Sequence, residues 1–509
     1  MAWTASDYSD DMAGIKSLAK DTAVYGVSSI IGRFLNWCLV PLYTFTFAQA
    51  EYGVVTFVYA VVALAMIILT YGMETGFFRF ANHDRWKDPM EVYSTSLISL
   101  GTTSLLFVIA VALFLDPVSR AMECAAHPSY VMIMAVCVAI DAFLAIPFSY
   151  LRYRKRPVRF ATLRLINIGV NIGLNLFFIL LCPRVLMVRW PEFTSAFYDP
   201  SFGIGYIFLS NLIASVVNMV LMIPELRGFR YRFNGRLLRE MLVYSAPLLV
   251  LGVAGIMNQT IDKLLFPTLA AARGNAMEEL GIYGANYKIA IVMVMFIQAF
   301  RFAYEPFIFS RNKEDAAGKF LAYRDAMKYF VIFALLLFLG VMFYIDFLKY
   351  FISPRYFSGL RVVPVVMMAE LFFGIFFNLS VWYKLTDRTV WGMWFSLIGL
   401  AVTVALNCVL VPVMGYMGCA WASFCSYGVM MVTSYIVGQR KYPIDYQLPR
   451  LLVYFGIAAL LYVLGMYCLS PWPVVNYIIR FFILAGFVAV VLRLEPIPVP
   501  ARLKRILRK

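Results

Sequence analysis

Long apolar runs alternate along the chain with short polar or basic stretches. Fourteen runs are long enough to cross hydrocarbon about 30 Å thick, which takes about 20 helical residues. They lie near 22–47, 52–79, 92–115, 130–151, 160–182, 202–224, 241–270, 280–309, 329–348, 362–383, 390–411, 415–437, 451–470 and 473–492. Each is expected to be helical, because a backbone in lipid must satisfy its own hydrogen bonds. The pattern therefore predicts an all-α polytopic membrane protein of about 14 transmembrane helices. The turn VPVMGYMG between 390–411 and 415–437 is so short that a re-entrant hairpin stays open there. The longest polar connections read as 183–201 and 310–328.

Several runs carry groups that lipid does not tolerate. Within 241–310 stand Asn258, Gln259, Asp262, Lys263, Lys288, Gln298, Arg301 and Glu305. Charges at membrane depth usually face a bundle interior or a wet cavity. The stretch also has an echo near the N-terminus. VYGVSS (Val24–Ser29) matches VYSAP (Val243–Pro247), and EYGVVTFVYA (Glu51–Ala60) matches ELGIYGANYK (Glu279–Lys288), at offsets of 219 and 228. Weak repeats of this kind accompany transporters built from two related bundles. In-span prolines at 41, 147, 247, 267, 306 and 412 are expected to mark kinks.

Composition narrows the class further. The 509 residues are 62% hydrophobic and 14% charged, where a soluble domain has about 25% charged residues. Thirty of the 44 Lys and Arg fall in the tails and in every second loop if the N-terminus is inside, and seven in the opposite loops. Cytoplasmic loops carry this excess, so both termini are expected in the cytoplasm. The net charge of +16 then reads as topology and contact with anionic membrane lipids, with no nucleic-acid partner. The basic tail ARLKRILRK reads as either an amphipathic surface helix or a solvated segment. Eight scattered cysteines and two histidines, without CxxC or paired Cys/His spacing, give no metal or disulfide framework. The first twenty residues lack an apolar core with a cleavage site, so the first span is expected to serve as the insertion signal.

No catalytic residues are evident. There is no P-loop and no large polar domain, so the chain is not expected to be an enzyme or to hold a cofactor. What remains is charge at depth. Arg33 has Asn36 and Trp37 on its helix face, and Asn258 with Asp262 form one stripe while Gln259 with Lys263 form the next. Arg33, Lys263, Lys288 and Arg301, with Asn36, Asn258 and Gln259, make a candidate binding set for a diphosphate or anionic glycan. Arginine offers a planar fork to phosphate, and lysine a point charge. The bland alternatives are an Arg301–Glu305 pair and an Asp262–Lys288 pair. Glu74, Asp141, Asp262 and Glu370 are candidates for H⁺ or Na⁺ coupling. Glu74 reads equally as a rim partner of Arg79, whereas Asp141 and Glu370 have no obvious local partner.

DTAVYGVSSIIGRFLNWCLVPLYT, EYGVVTFVYA and YGMETGFFRF, with ELGIYGANYKIA and FRFAYEPFIFS in the second half, resemble bacterial polysaccharide-unit flippases of the Wzx type. These belong to the multidrug/oligosaccharidyl-lipid/polysaccharide (MOP) superfamily. The resemblance implies two pseudo-symmetric six-helix lobes plus two C-terminal helices. The chain would then divide into a tail 1–21, an N-lobe 22–224, a basic linker 225–240, a C-lobe 241–437, two final spans within 438–492 and a basic tail 493–509. It implies alternating-access transfer of undecaprenyl-diphosphate-linked oligosaccharide across the bacterial inner membrane, for surface polysaccharide such as lipopolysaccharide. Polymerase and assembly proteins are the implied partners. Related flippases place cations on the first, second and eighth spans. Arg33 fits the first, and Lys288 or Arg301 the eighth. The second span has only Arg79 at its inner end, which favours a carrier other than lipid II. The competing expectation is a cation-coupled multidrug (MATE-type) antiporter, which calls for an acidic cavity and usually twelve spans. A third is a membrane scaffold that transports nothing.

Overall fold

The structure, a computed structural model, describes residues 30–82, 88–227, 232–311, 316–386, 388–467 and 470–495. Almost all of the described chain is helical. Among the described residues, twelve helices are long and apolar enough to cross a membrane. We number the spans α1 (30–46), α2 (Gln49–Ala81), α3 (Pro89–Leu113), α4 (Pro128–Tyr153), α5 (Pro157–Arg189), α6 (Gly205–Leu221) and α7 (Gly235–Leu269). The remainder are α8 (Ala276–Arg311), α9 (Ala316–Phe343), α10 (Pro354–Leu385), α11 (Val390–Met414), α12 (Tyr416–Lys441), α13 (Leu448–Tyr467) and α14 (Pro473–Leu494). The interrupted helix α1 and the shorter apolar helix α6 stand at the other two positions where the sequence predicts spans. Tail 1–21 and residues 496–509 lie outside the described residues, as do the side chains of Glu305 and Pro306.

Local chemistry sets the helix ends. Asp88 accepts a hydrogen bond from the Met90 amide at 2.9 Å, and Asn234 accepts from Arg236 and Leu237 at 3.0 and 3.1 Å, satisfying donors left open at a helix start. Proline opens α3, α4 and α5, where its missing amide is harmless. Span α2 is interrupted at Tyr71–Gly72, both with positive φ. Ser245 on α7 donates to the Gly72 carbonyl there at 3.4 Å.

Three expectations are corrected. The pair α11 and α12 is no re-entrant hairpin: its helices have 25 and 26 residues, about 37 Å each at 1.5 Å per residue. The connections 183–201 and 310–328 are largely helical. Span α5 passes through Pro183 in a π-helical stretch, Phe177–Leu186, which relocates the hydrogen bond that proline removes. Span α9 begins at Ala316. The prolines act unevenly. Span α1 opens at residues 38–39, just before Pro41, while Pro147, Pro247, Pro267 and Pro412 sit inside continuous helices.

The spans pack as two halves. Span α2 lies on α4, α3 on α4, and α6 on both α4 and α5; across the molecule α7 lies on α11, α11 on α12, α12 on α10 and α10 on α8. The halves meet where α2 runs along α8 and α7. Spans α13 and α14 attach to α9. Arg480 on α14 fixes one end by donating to the carbonyls of Gly465 (3.0 Å) and Phe343 (2.9 Å) and pairing with Asp346 at 3.1 Å. Glu495 fixes the other, pairing with Lys328 at 2.6 Å and accepting from Tyr454 at 2.7 Å.

Candidate functional site: a cationic cavity between the halves

A cavity of about 420 Å³ lies where the halves meet. Arg33 and Asn36 reach it from α1, Gln259 and Lys263 from α7, and Lys288 from α8. Helical spacing explains the choice of residues. Gln259 and Lys263 are four apart and share one stripe of α7, which faces the cavity. The next stripe, Asn258 and Asp262, is buried inside the second half. No carboxylate stands among the lining residues, so the wall presents three cations against neutral amides and tyrosine hydroxyls.

Each cation is held differently. The Lys263 ammonium lies 3.1 Å from Asp262 Oδ2, 3.2 Å from the Gln259 carbonyl and 4.5 Å from the Tyr287 ring centre. Asp262 also accepts from the Tyr283 hydroxyl at 2.6 Å. The expected Asp262–Lys288 pair is therefore replaced by a pair with the adjacent lysine, which a buried carboxylate reaches from the same helix. Among the described residues, neither Arg33 nor Lys288 has an ion-pair partner. Trp37 positions the Lys288 segment. Its indole donates to the Lys288 carbonyl at 2.7 Å and its ring stacks on Phe351 at 3.9 Å.

Two predicted ligands are not in this cavity. Asn258 donates to the carbonyls of Ser396 (2.8 Å) and Ala254 (2.9 Å), and its own backbone carbonyl accepts from Tyr427 at 3.1 Å. It is a bracket between α7, α11 and α12, because its stripe of α7 points away from the interface. Arg301 lies over the Phe377 ring at 3.9 Å, outside the lining. The other half of its expected pair, Glu305, lies outside the described side chains.

The four coupling candidates separate. Glu370, on α10, accepts from the Tyr287 hydroxyl at 2.6 Å, so it has a partner that sequence did not reveal. With Lys263 over the same ring and Asp262 beyond it, a polar chain runs from the cavity wall into the second half. Glu74 pairs with Arg152 at 2.7 Å, correcting the Arg79 alternative. Arg79 instead lies over the Tyr244 ring at 4.1 Å. Asp141 accepts from Ser215 at 2.8 Å. Among the described residues no group of three or more His, Cys, Asp or Glu side chains is placed to hold a metal ion.

Sequence reasoning missed the neutral polar residues of this site. Tyr43, Tyr59, Tyr287, Asn171 and Asn211 also line the cavity. Asn211 donates to the Tyr59 hydroxyl at 2.7 Å, and Tyr43 donates to Asn175 at 3.0 Å. A signal was available: NIGVNIGLN puts Asn167, Asn171 and Asn175 at four-residue intervals, a polar stripe along one face of an apolar helix.

A sequence profile of the family described as polysaccharide biosynthesis protein matches residues 18–311. No curated protein sequence matches the chain. Among solved structures, the chain is similar to the lipid II flippase MurJ in an inward closed conformation, with a TM-score of 0.70 and 14% identity over 92% of this chain and 98% of that one. It is also similar to an inward-facing multidrug resistance MATE family transporter of the MOP superfamily, at TM-score 0.65 and 13% identity over 83% and 97% of the two chains. An outward-facing multidrug resistance MATE family transporter gives 0.56 and 12% over 84% and 97%. At such identities these likenesses establish the fold and nothing finer.

Proposed function

The chain belongs to the polysaccharide biosynthesis protein family, and from that premise we propose that it is a flippase for undecaprenyl-diphosphate-linked oligosaccharide. The direction is from the cytoplasmic to the periplasmic leaflet of the bacterial inner membrane, by alternating access. The observation that carries this reading is the cavity between the halves, where Arg33, Lys263 and Lys288 converge and no carboxylate stands among the lining residues.

The physical task is to take a doubly anionic, sugar-bearing head through about 30 Å of hydrocarbon, where an unpaired charge is prohibitive. Arg33 on α1 and Lys288 on α8 belong to opposite halves and have no ion pair to break. They grip the diphosphate from two sides, the guanidinium through its fork of donors. Lys263, tied to Asp262, sets the field at the third corner. Residues 22–224 and 241–437 act as the two rocking lobes, with the basic linker 225–240 and both termini in the cytoplasm. Spans α13 and α14 ride on the second lobe. Asp262 and Glu370 are the coupling carboxylates, since each touches a residue of the cavity wall. Proton or Na⁺ exchange at them alters how Lys263 and Tyr287 present themselves. Partners are the lipid carrier, membrane lipids and the polysaccharide polymerase and assembly proteins that use the product.

The test is accumulation of lipid-linked oligosaccharide in cells depleted of the protein, with leaflet location read by an impermeant sugar-modifying reagent. Cytoplasmic build-up with loss of surface polysaccharide supports the flippase. Normal flipping, with new sensitivity to cationic dyes, favours the multidrug antiporter, a reading that the shared fold keeps alive and the cationic wall opposes. Unchanged export in Arg33→Ala and Lys288→Ala cells at normal protein level overturns the site.

A further inference from the structure

A second cavity, of about 500 Å³, is enclosed by α2, α4, α5 and α6 inside the first half. Its wall is chemically unlike the first. Glu74 and Asp141 supply two carboxylates and Arg152 and Arg164 two guanidiniums, so its formal charges balance. Asn167 and Asn218 add amides. Arg164 lies over the Phe148 ring at 4.2 Å, and Phe160 adds a second aromatic wall.

Hydrogen bonds within the wall leave capacity unused. Glu74 meets Arg152, and Asp141 meets Ser215. Among the described residues, the side-chain oxygen of Asn218, which is 3% exposed, has no hydrogen-bond partner, and the Arg152 Nε is likewise buried and unmet. An unmet buried donor or acceptor costs about 1–3 kcal/mol, so such atoms on a cavity wall call for a polar occupant. An anion would meet two carboxylates, a cation two guanidiniums, and a hydrocarbon would leave the Asn218 side-chain oxygen and the Arg152 Nε unmet. A neutral polyhydroxyl ligand suits all of them, since each hydroxyl both donates and accepts. Planar carboxylate, amide and guanidinium groups reach neighbouring hydroxyls in pairs.

The two cavities adjoin. Tyr59 lines both. On α5, Asn167 faces the second cavity and Asn171 the first, one turn or about 6 Å apart along the axis. Asn175 continues the stripe, donating to the Asn171 side chain at 3.0 Å.

We propose that the cavity of the first half is a sugar subsite, taking the saccharide residues nearest the diphosphate while Arg33 and Lys288 hold the diphosphate itself. The proposal rests on the flippase reading. It divides recognition of one substrate between charge in one cavity and hydroxyl bonding in the other. Asp141 and Glu74 then act in sugar recognition rather than in ion coupling.

The experiment compares two probes on purified full-length protein in nanodiscs: undecaprenyl diphosphate, and lipid-linked oligosaccharide extracted from the cells that make the protein. The wild type is expected to bind the saccharide-bearing lipid at least about tenfold more tightly, as a site built to bond hydroxyls discriminates against a ligand lacking them. Asn218→Leu is expected to abolish that preference while leaving affinity for undecaprenyl diphosphate unchanged. Asn167→Ala makes the same test without touching a buried residue, and is expected to lower the preference about threefold to tenfold. Equal binding of both probes by the wild type overturns the sugar subsite and leaves the diphosphate site standing. Equal weakening of both probes by Asn167→Ala also overturns it. Failure of the wild type to bind either probe overturns the flippase reading beneath it.

Discussion

Gly53 on α2 and Gly281 on α8 each lie against the backbone of the other's helix. A Cβ added at Gly53 would overlap the Met277 carbonyl oxygen, and one added at Gly281 would overlap the Gln49 carbonyl oxygen. The contact is reciprocal in sequence as well as in space: 281 − 53 and 277 − 49 both equal 228, the offset of the EYG and ELG motifs. The internal repeat thus forms a pseudo-two-fold crossing at the end of the bundle that carries the α1–α2 connection. Small residues permit such close approach between membrane helices.

Under the proposed alternating access this crossing has to part. Gly53→Ala inserts a methyl group where a carbonyl oxygen sits, and overpacking of this kind costs about 1–3 kcal/mol. The expected result is a population shifted by about tenfold toward the separated arrangement, since 1.4 kcal/mol is a factor of ten. The measurement is impermeant maleimide labelling of Thr56→Cys, a cavity-lining position, in a background without the native cysteines. An unchanged labelling rate would show that the halves are sealed elsewhere.

The cavity cations and Asn258 are expected to respond oppositely. On the proposed function, Arg33→Ala and Lys288→Ala each remove a charge-assisted bond to the diphosphate, worth about 1.5–3 kcal/mol. Affinity for undecaprenyl diphosphate should fall about 10- to 100-fold. Arg33 is exposed to the cleft, so thermal stability should change little in its variant. Asn258→Ala breaks the bracket to Ser396 and should cost about 1–3 kcal/mol of stability with affinity unchanged. Thermal melts beside ligand titrations separate the two roles, and loss of affinity in Asn258→Ala alone would return that residue to the site.

Why the sequence foretold some of this and not the rest follows from the kind of signal each residue carries. A cation in an apolar run is conspicuous because lipid penalises it, and Arg33, Lys263 and Lys288 do converge. Their partners are another matter. Asn258 and Gln259 are neighbours in sequence, yet one turns into the second half and the other into the cavity, because adjacent helical positions differ by about 100°. Arg301 is an in-span cation as conspicuous as Lys288, but it lies over the Phe377 ring of α10, remote in sequence. Tyr287 looked like packing because tyrosines are common here. Only the position of Glu370 makes it part of a polar chain. The π-helical passage through Pro183 was hidden because proline ordinarily signals an end.

The Glu370–Tyr287 bond gives a test of coupling. Glu370→Gln keeps an acceptor for the Tyr287 hydroxyl, 2.6 Å away in the native protein, but cannot take up a proton. The expected phenotype is normal binding of lipid-linked oligosaccharide with flipping that no longer responds to a proton or Na⁺ gradient. Proteoliposomes with and without each gradient provide the measurement. Gradient-stimulated flipping that persists in Glu370→Gln would exclude this carboxylate from coupling.

One end of the last two spans should prove to be held by a buried ion pair. Lys328 and Glu495 side chains are 7% and 0% exposed and 2.6 Å apart. Removing one partner strands the other charge, which typically costs about 3–5 kcal/mol. Lys328→Ala is therefore expected to destabilise the protein by about 3 kcal/mol, moderated because Tyr454 still donates to Glu495 and Arg450 lies 3.8 Å away. Replacing both partners, as Lys328→Met with Glu495→Met, should recover most of the loss, because an apolar pair of similar volume strands no buried charge, and the other ion partners, Asp325 and Arg450, are exposed. Denaturation of the single and double variants yields the coupling between them. If the double variant is as unstable as Lys328→Ala alone, the pair is not what anchors α14 to α9, and the Arg480 contacts at the opposite end would carry that role.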